Sequence, residues 1–370
     1  MITQCVGNCP VTRLEKWWVI SGPFGMGPVR LRRWVEHFGG LEAAFEAWKW
    51  QRLNLGEDFD ERLKRLHRTI DMPGVWAITW ESVNYPDAWR ECVDGPIVVF
   101  GKGAPLSASR KDHVAVVGTR NSCSRGAALG FEVGKKLAEW NRKVISGLAK
   151  GVDAAAHRGA CHALGSTIAC LGSGLEPVSP RENRGLANHI LELGGTIITE
   201  HAIDCPVFPW HFAARNRLVV GLSEALVLIQ SPAKGGALIS LELALEAGIE
   251  CLVYEPSNRS ELGARWAGNR ALLKEFPEMA WHHLEELKHR LGVGDESHES
   301  QGSPNVPEQE RSVWNYLCQH GGATFQRLSD QFEVPQEQML NRLFILEIKG
   351  LVKRIPGGWF VPIWSGYASG

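Results

Sequence analysis

Three cations stand beside glycines at the ends of apolar runs, and their chemistry is anion binding. Arg120 follows Gly118-Thr119, Lys150 precedes Gly151, and Lys234 precedes Gly235-Gly236-Ala237. Each sits where a short apolar, mostly β-branched run stops and a helical pattern begins. Glycine there lets the backbone turn sharply and come close to a ligand. The unpaired N–H groups of the new helix and its dipole favour a phosphate. Arg120 adds a guanidinium fork that matches two phosphate oxygens at once. The loop at Gly118 is not GxGxxG, and no Gly-Lys-Ser/Thr follows to make a P-loop. Thr119 and Ser122 are candidates to cap the helix that starts near Ser124. A further cluster, Arg215-Asn216-Arg217, opens an apolar helix, and groups of these types suit phosphates and base edges alike. Asn269 follows Gly268 at another helix start, with Arg270 behind it.

Other residues read less specifically. Asp153 and His157 lie one helical turn apart and could form an acid/base pair, but beside Gly151 and Arg158 they read as a helix N-terminal charge and a structural histidine. Glu242 after Gly235-Gly236 resembles part of the signature of nucleotide phosphoribohydrolases. The Gly-Thr in the middle of that signature is replaced by Leu238-Ile239. No Ser/His/Asp set stands out, so no catalytic residue, metal or cofactor is assigned. A nucleotide-sensing scaffold using the same pocket is the other alternative. Nine cysteines occur without CxxC; Cys5 and Cys9 have no further Cys/His pair nearby, and the set reads as reduced cytosolic thiols. The chain has 370 residues and a net charge of −1, so no global basic field points to nucleic acid and any polyanion must be held by local clusters. The absence of a signal pattern or a long apolar run predicts a cytoplasmic protein with no membrane segment.

The elements that must position these residues alternate. Val114-Ala-Val-Val, Lys143-Val-Ile-Ser146, Ser166-Thr-Ile-Ala-Cys-Leu171, Ala225-Leu-Val-Leu-Ile-Gln230 and Cys251-Leu-Val-Tyr254 read as strands, with helical patterns between them. This predicts an α/β fold, an extended Rossmann-like doubly wound sheet. Its strand-to-helix loops share the carboxyl edge of the strands, so four glycine-bearing loops should line one pocket. Val75 to Thr79 and Ile97 to Gly101 introduce this domain as strands. Before them, Thr12 to Arg68 is helical, with a turn at Gly25-Met-Gly27-Pro28 that outlines a helix-hairpin-helix; Arg30, Arg32 and Arg33 suit a phosphate there. After residue 291 a Gly/Ser/Pro-rich linker leads to three helical runs and a strand pair around Pro356-Gly-Gly358, the outline of a winged helix. In it Arg311, Arg327, Arg342, Lys349, Lys353 and Arg354 are balanced by Glu308, Glu310, Asp330, Glu333, Glu337 and Glu347, which argues against strong duplex binding. The expected boundaries are 1–72 for the N-terminal helical (helix-hairpin-helix/SAM-like) domain, 73–291 for the core, 292–307 for the linker and 308–370 for the winged helix.

Taken together, Val114-Ala-Val-Val-Gly-Thr-Arg120, the sixteen residues Val144 to Gly159, Pro180-Arg-Glu-Asn183, Phe212 with Arg215-Asn-Arg217, and Gly221-Leu-Ser223 resemble the DprA/Smf family of DNA-processing proteins. The resemblance implies a core that binds single-stranded DNA, forms a homodimer, protects incoming strands and loads a RecA-type recombinase during natural transformation, without catalysis. It places DNA contacts on Arg120, Lys150, Arg215, Asn216, Lys234, Gly235, Gly236 and Asn269. The loop reading adds Gly118, Thr119, Gly151, Arg217 and Ala237. Two departures stand out: Gly235-Gly236 where the family has Ser-Gly, and Pro256-Ser257 where it has Pro-Gly. Aromatic residues near the groove, Phe212 and Trp210, could stack bases.

Overall fold

A computed structural model of the chain describes residues 12–21, 27–51, 59–92, 94–256, 263–293, 306–307, 309–320, 323–332, 334–349, 351–355 and 359–362. The chain divides into two compact units, residues 1–293 and 294–370.

The first unit opens with helices α1 (Arg13–Ile20), α2 (Pro28–His37), α3 (Leu41–Gln51) and α4 (Phe59–Ile70). Thr12 caps α1 and Glu15 returns a hydrogen bond to the Thr12 N–H, satisfying two donors that the helix leaves open. Trp17, Ile20, Leu31, Phe45 and Leu66 share one apolar cluster with Phe100, Leu171 and Ile197 of the sheet, so the helices rest on it. Gly25 and Met26 of the expected glycine turn lie outside the described residues; Gly27 is the N-cap of α2, with Pro28 at the first helical position. Arg32 does not wait there for a phosphate. It donates to the carbonyls of Cys92 (3.1 Å) and Gly95 (2.8 Å), with its guanidinium 4.5 Å from the Trp80 ring. Arg30 and Arg33 are exposed.

The sheet follows with β1 (Val75–Thr79), α5 (Asp87–Glu91), β2 (Val98–Gly103), β3 (His113–Val117), α6 (Ser124–Glu139), β4 (Lys143–Ser146), α7 (Val152–His162), β5 (Thr167–Cys170), α8 (Arg184–Glu192) and β6 (Thr196–Thr199). It continues with α9 (Pro209–Ala214), α10 (Asn216–Gly221), β7 (Ala225–Leu228), α11 (Gly236–Glu246), β8 (Glu250–Tyr254), α12 (Ala267–Glu275), β9 (Ala280–Trp281) and α13 (Leu284–Arg290). The strand order is β1-β2-β6-β5-β4-β3-β7-β8-β9. From β6 to β9 every pair is parallel; β1–β2 and β2–β6 are antiparallel. The parallel strands are buried on both faces, which is why they read as unbroken apolar runs. The exception is β6, Thr196-Ile-Ile-Thr199, a four-residue strand with threonine at each end that the apolar pattern does not single out. It joins β5 to the antiparallel pair. From β3 to β6 the chain steps one way, and from β7 to β9 the other. The reversal falls between β3 and β7, and a crevice opens there at their carboxyl ends.

The second unit comprises α14 (Arg311–His320), β10 (Ala323–Thr324), α15 (Phe325–Phe332), α16 (Gln336–Ile348), β11 (Val352–Ile355) and β12 (Trp359–Pro362). Its strands form an antiparallel sheet ordered β10-β12-β11. Val313, Trp314, Leu328, Met339, Leu343 and Phe360 fill its core. On α16, Leu340, Phe344 and Ile348 face outward, four residues apart. The Pro356-Gly-Gly358 turn and residues 294–305 of the expected linker lie outside the described residues.

Buried polar groups hold the crevice edge in register. Asn269, fully buried in α12, accepts the Ser231 N–H (2.8 Å) and donates to the carbonyls of Ile229 (3.0 Å) and Tyr254 (2.9 Å), tying together the exits of β7 and β8. Asn269→Ala leaves those backbone groups unpaired, at about 1–3 kcal/mol for each buried group, so chemical denaturation should show a loss of about 3 kcal/mol or more. A loss well under 1 kcal/mol would contradict this role.

Among the described residues His113 and His157 are buried. His113 donates through Nδ1 to the Leu222 carbonyl (3.0 Å), and burial pulls its pKa down to about 4. Burial pulls His157 down to about 3, with the Arg215 charge adding to the effect. Both lie below the unfolded value near 6.5, so the unfolded chain takes up protons first as pH falls. Their contribution is complete above pH 6.5 and is lost as pH drops from there toward 4 and 3. The melting temperature should therefore fall between pH 7 and 4.5, and His113→Asn, whose amide can still reach Leu222, should have the flatter profile. Parallel profiles would show that His113 carries none of this dependence.

Candidate functional site

A cavity of about 430 Å³ opens at the crevice between β3 and β7. Gly118, Thr119 and Arg120 form one wall, Lys234, Gly235, Gly236 and Ala237 the other, with Phe212, Arg215 and Asn216 beneath and beside them. The strand-helix alternation thus brings loops distant in sequence to one place.

The wall after β3 is fixed by its backbone. The Thr119 N–H donates to the Gln230 carbonyl (2.7 Å), and the Thr119 carbonyl accepts from the Val152 N–H (3.3 Å). A Cβ at Gly118 would lie 2.6 Å from a Val152 methyl, so only glycine lets α7 start this close. Helix α6 is capped by neither Thr119 nor Ser122. Its N-cap is Cys123, whose sulfur accepts from the Gly126 N–H (3.4 Å), while the Cys123 N–H donates to Gln230 Oε1 (3.0 Å). Thr119 Oγ1 instead accepts from the Asn121 N–H (3.2 Å), a side-chain turn that competes with the cap. Gln230 is thus the tie between the two walls. Its signal in the sequence is a lone amide closing the apolar run Ala225 to Ile229.

The wall after β7 is bare. Gly235 is the N-cap of α11 and offers no side-chain cap; nothing stands within 4 Å of where a Cβ on Gly236 would be. The first-turn N–H groups of α11 therefore meet the cavity without a capping side chain. A Cβ on Gly235 would lie 2.5 Å from Ser231 Oγ, so that buried hydroxyl occupies the room a serine here would need. Lys234 and Arg120 are exposed, and the Arg120 charge acts on Asp153, which also lines the cavity. The Arg120 guanidinium lies 4.9 Å from the ring of half-buried Phe212, within cation–π range. Phe212 itself rests on Gly172 of the β5 loop, where a Cβ would come within 2.9 Å of the ring.

Arg215 forms the floor. It is 5% exposed, and its guanidinium lies over Gly147, where any Cβ would overlap it. Nη1 is 3.9 Å from Asp153 Oδ2, and Nε has no hydrogen-bond partner. Burial raises the Asp153 pKa; the Arg215 charge and the N–H groups of Ala149 and Gly147 offset that by favouring the carboxylate. Asn216 is also buried and donates to the Gly236 carbonyl (3.4 Å), linking α10 to the bare wall.

Other expected contacts lie elsewhere. Lys150 is exposed but outside the cavity lining, paired with Glu182 at 2.5 Å. Gly151, at φ +80°, shapes the start of α7. Arg217 projects to the opposite side of its helix, where Nη2 meets Glu200 (2.6 Å) and Nε faces Asp94 (3.6 Å). Asn269 is interior, as described above. Asp153 and His157 are not an acid/base pair. Asp153 faces Arg215, whereas His157 Nδ1 donates to Thr167 Oγ1 (2.9 Å), a hydroxyl that itself donates to the Val144 carbonyl (2.6 Å). Glu242 is exposed on α11 and is not among the residues lining the cavity. Among the described residues no group of three His, Cys, Asp or Glu side chains is placed to hold a metal ion.

Known proteins share this framework. A family model described as DNA recombination-mediator protein A matches residues 76–290. The chain is 27% identical over 349 residues to Protein Smf of Escherichia coli (strain K12), covering 92% of each. The X-ray structure of DNA processing protein A (DprA) from Streptococcus pneumoniae is similar at 25% identity and a TM-score of 0.53, covering 72% of this chain and 89% of that one. A structure of DNA processing protein A from Helicobacter pylori, which concerns that protein's single-stranded DNA binding mode, shares the fold at 23% identity and a TM-score of 0.50, covering 59% and 95%. With more than half of its length matched by the family model, the chain belongs to the DNA recombination-mediator protein A family, that of the Smf and DprA proteins.

Proposed function

We propose that the crevice between β3 and β7, within a core spanning residues 73–291, binds single-stranded DNA through its phosphates. The observation that carries this is a pair of exposed cations, Arg120 and Lys234, on facing walls above a buried Arg215. A phosphate between them meets the uncapped start of α11, two mobile charges and one fixed one. Gly118, Thr119, Gly235, Gly236 and Ala237 supply close backbone, Asn216 an amide, and Phe212 a ring. Lys150 and Gly151 extend the path beyond the cavity, where a strand phosphate competes with Glu182 for the lysine. Arg217 and Asn269 act through the loops and helices they hold.

In this reading the chain is a DNA-processing protein of natural transformation that works in the cytoplasm without catalysis, as a homodimer. It protects incoming strands and loads a RecA-type recombinase. The family's description as a recombination mediator and the strand binding of the Helicobacter pylori protein support it. The engagement of Asp153 by Arg215 and of His157 by Thr167 supports binding over acid/base chemistry. Helices α14 to α16 with β11 and β12 fit a winged helix. The apolar outward face of α16 supports a role in holding a protein partner over reading a duplex.

The test is fluorescence anisotropy of labelled oligo-dT across salt concentrations, with AMP as competitor. Wild-type binding should weaken steeply with salt, and Arg120→Ala and Lys234→Ala should each lower affinity roughly tenfold and flatten the salt slope by about one. AMP should not displace the strand. No binding, or full displacement by AMP, would move the assignment to a nucleotide enzyme or sensor.

A further inference from the structure

Beside the cavity two aromatic rings stand in the open. Phe208 and Trp210 stack face to face, with ring centroids 4.4 Å apart and planes within 6° of parallel. Trp210 is 62% exposed and Phe208 40%. The residue between them, Pro209, lines the cavity, as do Phe212 and Ala213 on the same short helix. An apolar pair of this size left in water needs a reason.

The pair is held stiffly from behind. The His211 ring meets both aromatics edge-on, at 5.4 Å from Phe208 and 5.8 Å from Trp210. His211 Nδ1 accepts from the Phe208 N–H at 3.5 Å. His211 in turn stacks on His201 at 4.0 Å. Four rings in contact fix the angle of the outermost two. Each of the two exposed rings has only two rotatable side-chain torsions, so ordering them on a ligand costs little.

We infer that Phe208 and Trp210 form a base-stacking platform that takes a nucleobase of the same single strand whose phosphates occupy the crevice. This rests on the strand-binding reading above and extends it from the backbone to the bases. A nucleobase is flat, aromatic and about the size of the exposed indole face, and a strand with unpaired bases presents them freely. Stacking accepts any base, since each has a π-face. The continuity of the rings with the cavity rim through Pro209 selects this occupant: a strand leaving the Arg120–Lys234 site past α9 meets the rings. It also assigns the two contacts to different parts of the ligand, charge to phosphate and ring to base.

The test compares oligo-dT with an oligomer of the same length and phosphate count built of abasic sites, using the full chain. Trp210→Ala should weaken oligo-dT binding by on the order of tenfold, leave the salt slope unchanged, and leave the abasic strand unaffected. Trp210→Phe should restore most of the loss. Equal weakening on both oligomers, or none on oligo-dT, overturns the platform. So does a Trp210→Ala loss that follows a change in oligomeric state by light scattering, which would make the rings a contact between copies. The Arg120→Ala and Lys234→Ala variants separate the two readings. If they weaken both oligomers and Trp210→Ala weakens neither, the platform fails and the phosphate site stands. If they weaken neither oligomer, the phosphate site fails, and the platform, which is built on it, is overturned with it.

Discussion

A guanidinium buried under the carboxyl edge of a parallel sheet constrains everything near it. Taking Arg215 out of water is costly, and one carboxylate at 3.9 Å offsets only part of that. The remaining geometry follows. Gly147 must lack a side chain because the guanidinium lies where its Cβ would be. Asp153 must stand at the start of α7, where N–H groups of Ala149 and Gly147 help to keep it ionised. Arg215 and Asp153 both line the cavity. A site built this way is preorganised: its deepest cation is fixed by packing and needs no ordering when an anion arrives, whereas Arg120, over the Phe212 ring, and Lys234 stand exposed on the rim.

Two hydrogen-bonding side chains keep the walls at the right spacing, and neither residue is among those lining the cavity. Gln230 reaches from the end of β7 to the start of α6, and Asn269 from α12 to the ends of β7 and β8. Ser231 stands beside Gly235. Its hydroxyl lies where a side chain on Gly235 would project, though it is buried and bonded to the Pro232 carbonyl at 3.0 Å. The bare wall therefore presents backbone and no hydroxyl at Gly235.

The parallel core was readable from the chain because buried strands in such a sheet are apolar on both faces and end at glycines, as at Gly118 and Gly147. Four glycine loops were expected to line one pocket; those at Gly118 and Gly235 line the cavity, the one before α7 contributes Ala149, and the one at Gly172 to Gly174 is not in its lining. Three features were not readable. The strand β6 has threonine on both sides of its two isoleucines, so it shows no apolar run. Arg215 and Arg217 look equivalent in sequence, yet two residues along a helix is more than half a turn, so one faces the cavity and the other Glu200. Asn269 carries the types of atom a ligand wants, but three backbone groups take them first. Motif spacing locates a loop; which atoms remain free after folding is decided by tertiary neighbours.

The placement of β1 and β2 has a consequence for synthesis. This hairpin docks only on β6, so residues 75–103 have no sheet to join until residues 196–199 have been made. At roughly 5–20 residues per second, that interval is about 5–20 s on the ribosome. During it the apolar faces of α1 to α4 can pack on one another and on β1 and β2, but not yet on Leu171, Ala187 or Ile197. Order of translation runs against order of assembly here. Helices α1 to α4 precede the sheet in the chain, and their packing is complete only once Leu171 and Ile197 are in place.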